Sequence, residues 1–91
     1  MDKEYRVIVH GLVQGVCFRA LVRERAERYH LCGYVKNLED GTVEICVQGE
    51  EHVISRFLES LQQESGRARI DDLSITFTDA KDCFSSFMVL H

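Results

Sequence analysis

The sequence predicts a small α+β fold in which two helices cover one face of a mainly antiparallel sheet. Three observations support this prediction. Several runs rich in valine and isoleucine alternate with polar residues, as strands do. Two longer segments repeat apolar residues at helical spacing. The elements follow the order strand, helix, strand, strand, helix, strand, strand. The 91 residues suffice for one modest core, so we expect residues 1–91 to form a single domain.

The first part of the chain predicts a strand and an amphipathic helix. Residues 5–13 alternate in polarity and predict the first strand. Residues 16–30 predict the first helix, because one face carries mostly apolar residues: Phe18, Leu21, Val22, Arg25, Ala26 and Tyr29. Glycine favours the end of a helix, so we expect Gly33 to stop this one.

The next segment predicts a hairpin and a second helix. Residues 33–37 and 42–48 have strand character, and Asp40-Gly41 between them favours a tight hairpin turn. The pair Glu50-Glu51 opens the second helix, where acidic side chains suit the partial positive charge of a helix N-terminus. The apolar stripe of this helix consists of Val53, Ile54, Phe57, Leu58 and Leu61.

Two further strands complete the predicted sheet. Residues 70–77 alternate in polarity, residues 78–82 form a polar connection, and residues 84–90 predict a short C-terminal strand. The order βαββαβ plus a short strand is the split βαβ arrangement of ferredoxin-like two-layer sandwiches. Many activities share this fold, so it does not identify the function by itself.

Composition argues against several classes of function. The formal net charge is -4, whereas a general nucleic-acid binder carries a basic surplus, so we expect no nucleic-acid partner. No apolar run approaches the roughly 20 residues that cross a bilayer. The N-terminal segment MDKEYRVIVH lacks the long apolar region of a signal peptide. We therefore expect a cytoplasmic protein with no membrane partner.

The four cysteines are expected to be reduced thiols. Cys17, Cys32, Cys46 and Cys83 contain no CxxC pair, and a disulfide framework would need a secreted context. His30 lies close to Cys32, but a zinc site needs a second pair of ligands nearby. The sequence therefore gives little reason to expect a metal.

The stretch GLVQGVCFR, residues 11–19, combines two glycines with an arginine where a helix should begin. Arginine is unfavourable in a first helical turn, because the helix dipole is positive there. An anion held by unpaired backbone N–H groups of the loop would remove that conflict, and Arg19 would add a fork of donors. The alternative is a tight turn with Arg19 exposed. Asn37, taken alone, is typical of a turn or a cap.

Taken together, two stretches resemble the signatures of the acylphosphatase family. Residues 11–19 resemble the first signature, and residues 33–43 followed by Gly49 resemble the second. The resemblance covers nearly the whole chain. It implies a ferredoxin-like fold and hydrolysis of the carboxyl-phosphate anhydride of small acyl phosphates, with inorganic phosphate as a product. It also implies that no metal, cofactor or phospho-enzyme is needed, and we expect a monomer.

The resemblance also implies roles for particular residues. Asn37 is expected to orient the attacking water, and Arg19 is expected to be the catalytic arginine that binds phosphate. The whole phosphate-binding loop comprises Gln14, Gly15, Val16, Cys17, Phe18 and Arg19.

Three positions depart from the commonest family pattern. Leu12 replaces a frequent basic or polar residue, Cys17 replaces a common glycine, and Arg67 replaces a usual proline. Oxidation of Cys17 would crowd the loop. An alternative function is a non-catalytic anion-binding module of the same fold, although such a module has no evident use for Asn37. A ferredoxin-like nucleic-acid or metal carrier is disfavoured by the acidic charge and the missing CxxC motif.

Overall fold

A computed structural model describes residues 3–80 and 84–91 of the chain. These residues form the strands and helices β1 (Lys3–Leu12), α1 (Phe18–Arg28), β2 (Cys32–Asn37), β3 (Val43–Gly49), α2 (Glu51–Gln63), β4 (Arg69–Asp79) and β5 (Phe87–Leu90). The sheet has the strand order β4-β1-β3-β2-β5, and only the β2–β5 pairing among the described strands is parallel. The predicted ferredoxin-like sandwich is confirmed. Neither helix in the described ranges is long and apolar enough to cross a membrane.

Alternation along the strands places one face of the sheet in the core. In β1, the side chains of Tyr5, Val7 and Val9 are buried. Val7 lies directly opposite Ile45, and Val9 lies opposite Val43, so β1 and β3 contribute neighbouring side chains to the same layer. The core also contains the apolar stripes of both helices: Phe18, Val22, Ala26, Ile54, Phe57, Leu58 and Leu61. Two helices therefore cover one face of the sheet, as predicted.

Both ends of α1 differ from the predicted helix. The helix begins at Phe18 rather than at residue 16, because Cys17 adopts a left-handed conformation with φ 60°. It ends at Arg28, and His30 is left-handed with φ 58°. The His30 N–H donates to Glu27 O at 3.1 Å and the next N–H donates to Ala26 O at 2.9 Å, which is the Schellman pattern.

The prediction that Gly33 stops this helix is therefore wrong, because His30 holds the left-handed position. Gly33 is instead the second residue of β2, paired with Val47.

The last two strands also differ from their predicted bounds. Strand β4 continues to Asp79, whereas the prediction ended it at residue 77. Strand β5 begins at Phe87 rather than at residue 84. The Phe84 N–H donates to Gln48 Oε1 at 3.1 Å, and the Phe84 ring packs edge-on against Tyr34 with 5.9 Å between centroids. Phe84 thus contacts side chains of the sheet and does not extend β5. Residues 81–83, which include Cys83, lie outside the described residues.

Arg25 is a buried cation on the inner side of α1. Its side chain is 4% exposed. The guanidinium Nη1 donates to Ser60 O at 2.9 Å and to Ser60 Oγ at 3.1 Å, and Nη2 donates to Glu64 O at 3.4 Å. These acceptors belong to the C-terminal end of α2, where the helix dipole is negative and a positive charge is favourable. Arg25 therefore joins the two helices.

Candidate active site

The carboxyl ends of three strands meet at one edge of the sheet. Strand β1 pairs antiparallel with β3 up to Val9–Val43, and β2 pairs antiparallel with β3 up to Asn37–Val43. Strand β5 runs parallel to β2, with Leu90 beside Lys36. The loop that follows β1, the end of β2 and the end of β5 are therefore neighbours. Helix α1 begins from that loop, so its N-terminus lies at the same edge.

The two glycines of the opening stretch have different surroundings. Gly11, with φ 139°, lies where the β1–β4 register shifts, and a Cβ there would come within 2.0 Å of Arg69 O. Gly15, with φ 75°, lies in the loop, and a Cβ there would meet no atom within 4 Å. Gly11 thus permits a close backbone approach to β4, whereas Gly15 shapes the loop beside open space.

The loop and the first turn of α1 present a series of unpaired backbone donors. Within residues 3–80 and 84–91, the N–H groups from Gly15 to Ala20 donate to no protein acceptor. The Leu21 N–H is the next along the chain and donates to Cys17 O at 3.2 Å. Cys17 is exposed, and its thiol does not cap the helix. Consecutive free N–H groups at a helix N-terminus favour an anion.

Arg19 is held by the end of β5. Its Nη1 donates to Leu90 O at 2.8 Å and lies 3.4 Å from His91 Nδ1. The side chain is half-buried, and its Nη2 and Nε have no acceptor in the described part of the chain. The guanidinium is therefore anchored through one nitrogen while the others remain available to a ligand. The exposed arginine of the tight-turn alternative is not observed.

A cavity of about 680 Å³ lies at this edge of the sheet. Five of the predicted site residues line it: Gly15, Cys17, Phe18, Arg19 and Asn37. Two do not. Val16 packs partly against the core, and the Gln14 Nε2 donates to Leu38 O and to Thr42 O, both at 2.8 Å. Gln14 therefore ties the loop to the turn that follows Asn37, a contact that the prediction of phosphate binding did not include.

The cavity also has lining residues that sequence reasoning did not single out. Val89 and His91 come from the end of β5, and Ala20, Arg23, Glu24 and Glu27 come from one side of α1. The contribution of β5 depends on strand register and leaves no local signal. Arg23, in contrast, follows Arg19 by four positions, and that spacing places both on one side of a helix.

Helix α1 is a local concentration of positive charge. It contains four arginines and two glutamates, a net charge of +2, on a chain whose formal net charge is -4. The first turn contains no acidic residue. The positive end of the helix dipole thus adds to the charge of Arg19, and an anion at the cavity would face a favourable potential.

The fold and the site define a small ferredoxin-like α+β protein with a cavity at the edge where the carboxyl ends of three of its strands meet. The model of the Acylphosphatase family matches residues 5–89. An acylphosphatase of Bacillus licheniformis is 40% identical over 86 residues, which cover 94% of this chain and 96% of that protein. An acylphosphatase of Bacillus subtilis is 36% identical over 88 residues, with 97% of each chain covered. The chain therefore belongs to the acylphosphatase family.

Solved structures agree with this assignment. The crystal structure of the acylphosphatase from Bacillus subtilis superposes with a TM-score of 0.93, covering 98% of this chain and 99% of that one. An acylphosphatase from Coxiella burnetii gives a TM-score of 0.88 at 36% identity, covering 98% and 93%. HypF of T. kodakarensis gives 0.85 at 37% identity, but the match covers 97% of this chain and only 12% of HypF. The same fold thus also occurs as a small part of a larger protein.

Proposed function

We propose that this protein is an acylphosphatase that hydrolyses small acyl phosphates to a carboxylate and inorganic phosphate. Residues 1–91 act as one catalytic domain, as a monomer in the cytoplasm, without a metal or another cofactor. The observation that carries the proposal is that one cavity is lined by Arg19, by Asn37 and by residues of the loop and first helical turn whose backbone N–H groups are free. Membership of the acylphosphatase family supports the same reaction.

The phosphoryl group of the substrate lies in the loop between Gln14 and Arg19. Free backbone N–H groups and Arg19 donate hydrogen bonds to its oxygens and stabilise the charge that they carry in the transition state. Phosphoryl transfer depends mainly on positioning and on charge stabilisation, and these groups supply both. Because a carboxylate is a good leaving group, no protein acid is required to protonate it.

Asn37 orients the attacking water in line with the bond that breaks. Its amide can both accept and donate hydrogen bonds, and it has no titrating proton. A phosphate oxygen of the substrate takes the water proton. Two other contacts preorganise the site: Gln14 ties the loop to the turn after Asn37, and Leu90 O anchors Arg19. Both contacts act by holding neighbouring groups of the site in place.

The test is hydrolysis of benzoyl phosphate in the presence of EDTA. Wild type, Arg19→Ala and Asn37→Ala are compared, with Arg56→Ala as a control, because Arg56 is exposed on α2 and does not line the cavity. Loss of a preorganised charge-stabilising donor should reduce the rate by at least about 10²–10³ in Arg19→Ala. Asn37→Ala should lose turnover while it retains phosphate binding.

The outcome separates the enzyme from the alternative anion-binding module. Rapid metal-free turnover that both site variants lose supports the enzyme and the two roles. A folded wild-type protein that binds phosphate but does not hydrolyse benzoyl phosphate would refute the enzyme and favour the binding module.

The proposal also predicts the pH dependence of turnover. Because the proposed mechanism uses no general acid or base of the protein, kcat should be nearly flat between about pH 5 and 8. Steady-state rates of benzoyl phosphate hydrolysis across this range provide the measurement. Because His91 lines the cavity, the His91→Gln variant tests whether a histidine contributes to any pH dependence of kcat. A sharp inflection that this substitution removes would contradict the assignment of roles.

A further inference from the structure

The cavity continues past the proposed phosphate loop along one side of α1. Beyond Arg19, this extension is lined by Ala20, Arg23, Glu24 and Glu27. Arg23 lies one helical turn after Arg19, about 6 Å further along the helix axis. Arg23 is therefore within reach of the remainder of a phosphorylated ligand seated at Arg19.

The acidic side chains of the extension differ in how well they are paired. Glu24 contacts Arg28 closely, and its other oxygen lies 3.7 Å from Arg25 Nε. Two cations thus offset the charge of Glu24. Among the described residues, the Glu27 carboxylate is paired only with Arg23, with 3.5 Å between Oε2 and Nε.

The Arg23–Glu27 pair is weak. Both side chains are 55% exposed, and exposed ion pairs contribute little because water and salt screen them. The two terminal nitrogens of Arg23 donate to no acceptor within the described residues. Arg23 is therefore the second cation of the cavity with donors available to a ligand. The net charge of α1 favours an anionic over a cationic group there.

We infer that Arg23 binds a second anionic group on the acyl part of the substrate, so that the protein prefers acyl phosphates that also carry a carboxylate. This inference rests on the proposed function. The phosphoryl group occupies the loop and Arg19, and the distal carboxylate accepts hydrogen bonds from the planar fork of Arg23. The carboxylate competes with Glu27 for this fork. Arg23 thus determines specificity and has no part in breaking the anhydride bond.

The test uses substrates that differ in one charge. Meta-carboxybenzoyl phosphate is compared with its neutral analogue, meta-carbamoylbenzoyl phosphate, at low ionic strength. The ratio of their kcat/KM values is the readout, because it cancels changes common to both substrates. In wild type the carboxylate should be preferred by about three- to tenfold, mainly through a lower KM, as expected for a partly exposed ion pair.

Three variants decide the inference. Arg23→Gln should bring the ratio to about one, and Glu27→Gln should raise it above the wild-type value by removing the competing carboxylate. Arg56→Gln, which makes the same change in net charge outside the cavity, should retain the wild-type ratio. No preference in wild type, or an equal preference in Arg23→Gln, would overturn the inference.

Failure of the proposed function is distinguishable from failure of this inference. If benzoyl phosphate itself is not hydrolysed, the enzyme proposal fails. Calorimetric binding of the matching meta-carboxybenzyl and meta-carbamoylbenzyl phosphonates then still tests Arg23. Tighter binding of the carboxylate that Arg23→Gln removes would support the inference, and equal binding of the two phosphonates by wild type would overturn it.

Discussion

At the scale of single residues, the opening loop depends on two glycines that have different tasks. A Cβ at Gly11 would collide with the backbone of β4, at 2.0 Å from Arg69 O, whereas a Cβ at Gly15 would point into open space. Backbone cannot move aside as a flexible side chain can. The two positions therefore differ in what an added methyl group costs, although both have positive φ.

Substitution by alanine should separate the two glycines. Gly11→Ala should lower the free energy of unfolding by about 3 kcal/mol, because β1 and β4 must move apart. Gly15→Ala should lower it by only about 1 kcal/mol, the cost of a left-handed alanine. Urea denaturation of both variants gives the comparison. Equal losses would show that the close approach at Gly11 is relieved elsewhere.

Tyr34 lies on the sheet face that the helices leave uncovered. Burial raises the pKa of Tyr34 to about 12, and its hydrogen bond to Glu44 Oε1, at 2.9 Å, acts in the same direction. A raised folded-state pKa means that the neutral phenol stabilises the fold. This contribution is complete below the unfolded pKa of about 10 and is lost as the pH rises from there through the folded value.

Ultraviolet titration of tyrosinate should reveal this shift. Tyr34 should ionise near pH 12 in the folded protein. Glu44→Gln should lower the pKa, because the phenol then faces a neutral acceptor, but burial should keep it above about 10. Tyr34→Phe serves as the control, because it should remove the signal that titrates near pH 12. An unchanged pKa in Glu44→Gln would assign the whole shift to burial.

The predicted site residues and the contacts around them differ in how far they can be read from sequence. Arg19 and Asn37 lie within short motifs, so the sequence predicts both. The anchoring of Arg19 by Leu90 O depends on where β5 docks, which no local pattern specifies. The side-chain contacts of Gln14 are likewise set by the turn after Asn37, which approaches the loop only in the folded protein.

At the scale of elements, α1 is flanked at both ends by left-handed residues that are not glycine. Cys17 precedes the helix with φ 60°, and His30 follows it with φ 58°. A side chain in this conformation costs about 1 kcal/mol or more, because Cβ approaches the following carbonyl. The helix is therefore held by its packing and its Schellman hydrogen bonds against unfavourable backbone at each end.

His30→Gly should stabilise the protein. Glycine tolerates the left-handed position, so the free energy of unfolding should rise by up to about 1 kcal/mol. For a domain of this size, that corresponds to a midpoint about 4–8 °C higher. Differential scanning calorimetry measures this midpoint. His52→Gly is a contrasting control, because residue 52 lies inside α2 and a glycine there should destabilise the protein. A lower midpoint in His30→Gly would contradict the interpretation that the left-handed backbone of His30 is unfavourable.

The order of the strands and helices can be predicted from the sequence. The ends of α1 cannot, because they depend on left-handed residues that are not glycine. Periodicity identified both helices and every strand, because alternation and helical spacing are local properties. Glycine is the usual left-handed residue, so the sequence predicts that the helix stops at Gly33. No sequence pattern indicates that His30 adopts the left-handed conformation instead. Phe84 appeared to extend the last strand because it is apolar, yet it packs on Tyr34.

At the scale of the whole molecule, three exposed carboxylates make the free energy of unfolding depend on pH in the acidic range. Donation from Thr42 lowers the pKa of Asp40, donation from Arg69 lowers that of Asp71, and Lys3 lowers that of Asp79. A depressed folded-state pKa stabilises the fold above the unfolded value of about 3.9. The contribution is lost as the pH falls below that value through the lower folded pKa.

Acid should therefore destabilise the protein mainly below about pH 4. Urea midpoints measured between pH 7 and pH 2, at low and high salt, give the test. Salt should weaken the contributions of Asp71 and Asp79, which face cations. It should leave most of the contribution of Asp40, because the largest cause there is donation from the neutral Thr42. Asp40→Asn should flatten the salt-independent part of the curve. Loss of the whole acid response in high salt would contradict the role of Asp40.

The anchoring of Arg19 by Leu90 also affects how the protein reaches its active form. The two residues are 71 positions apart, so the Arg19 guanidinium is fixed only after β5 has docked beside β2. The sequence contains no proline, so slow prolyl isomerisation cannot delay refolding. The rate at which turnover recovers after dilution from denaturant should therefore report the rate at which this long-range contact forms.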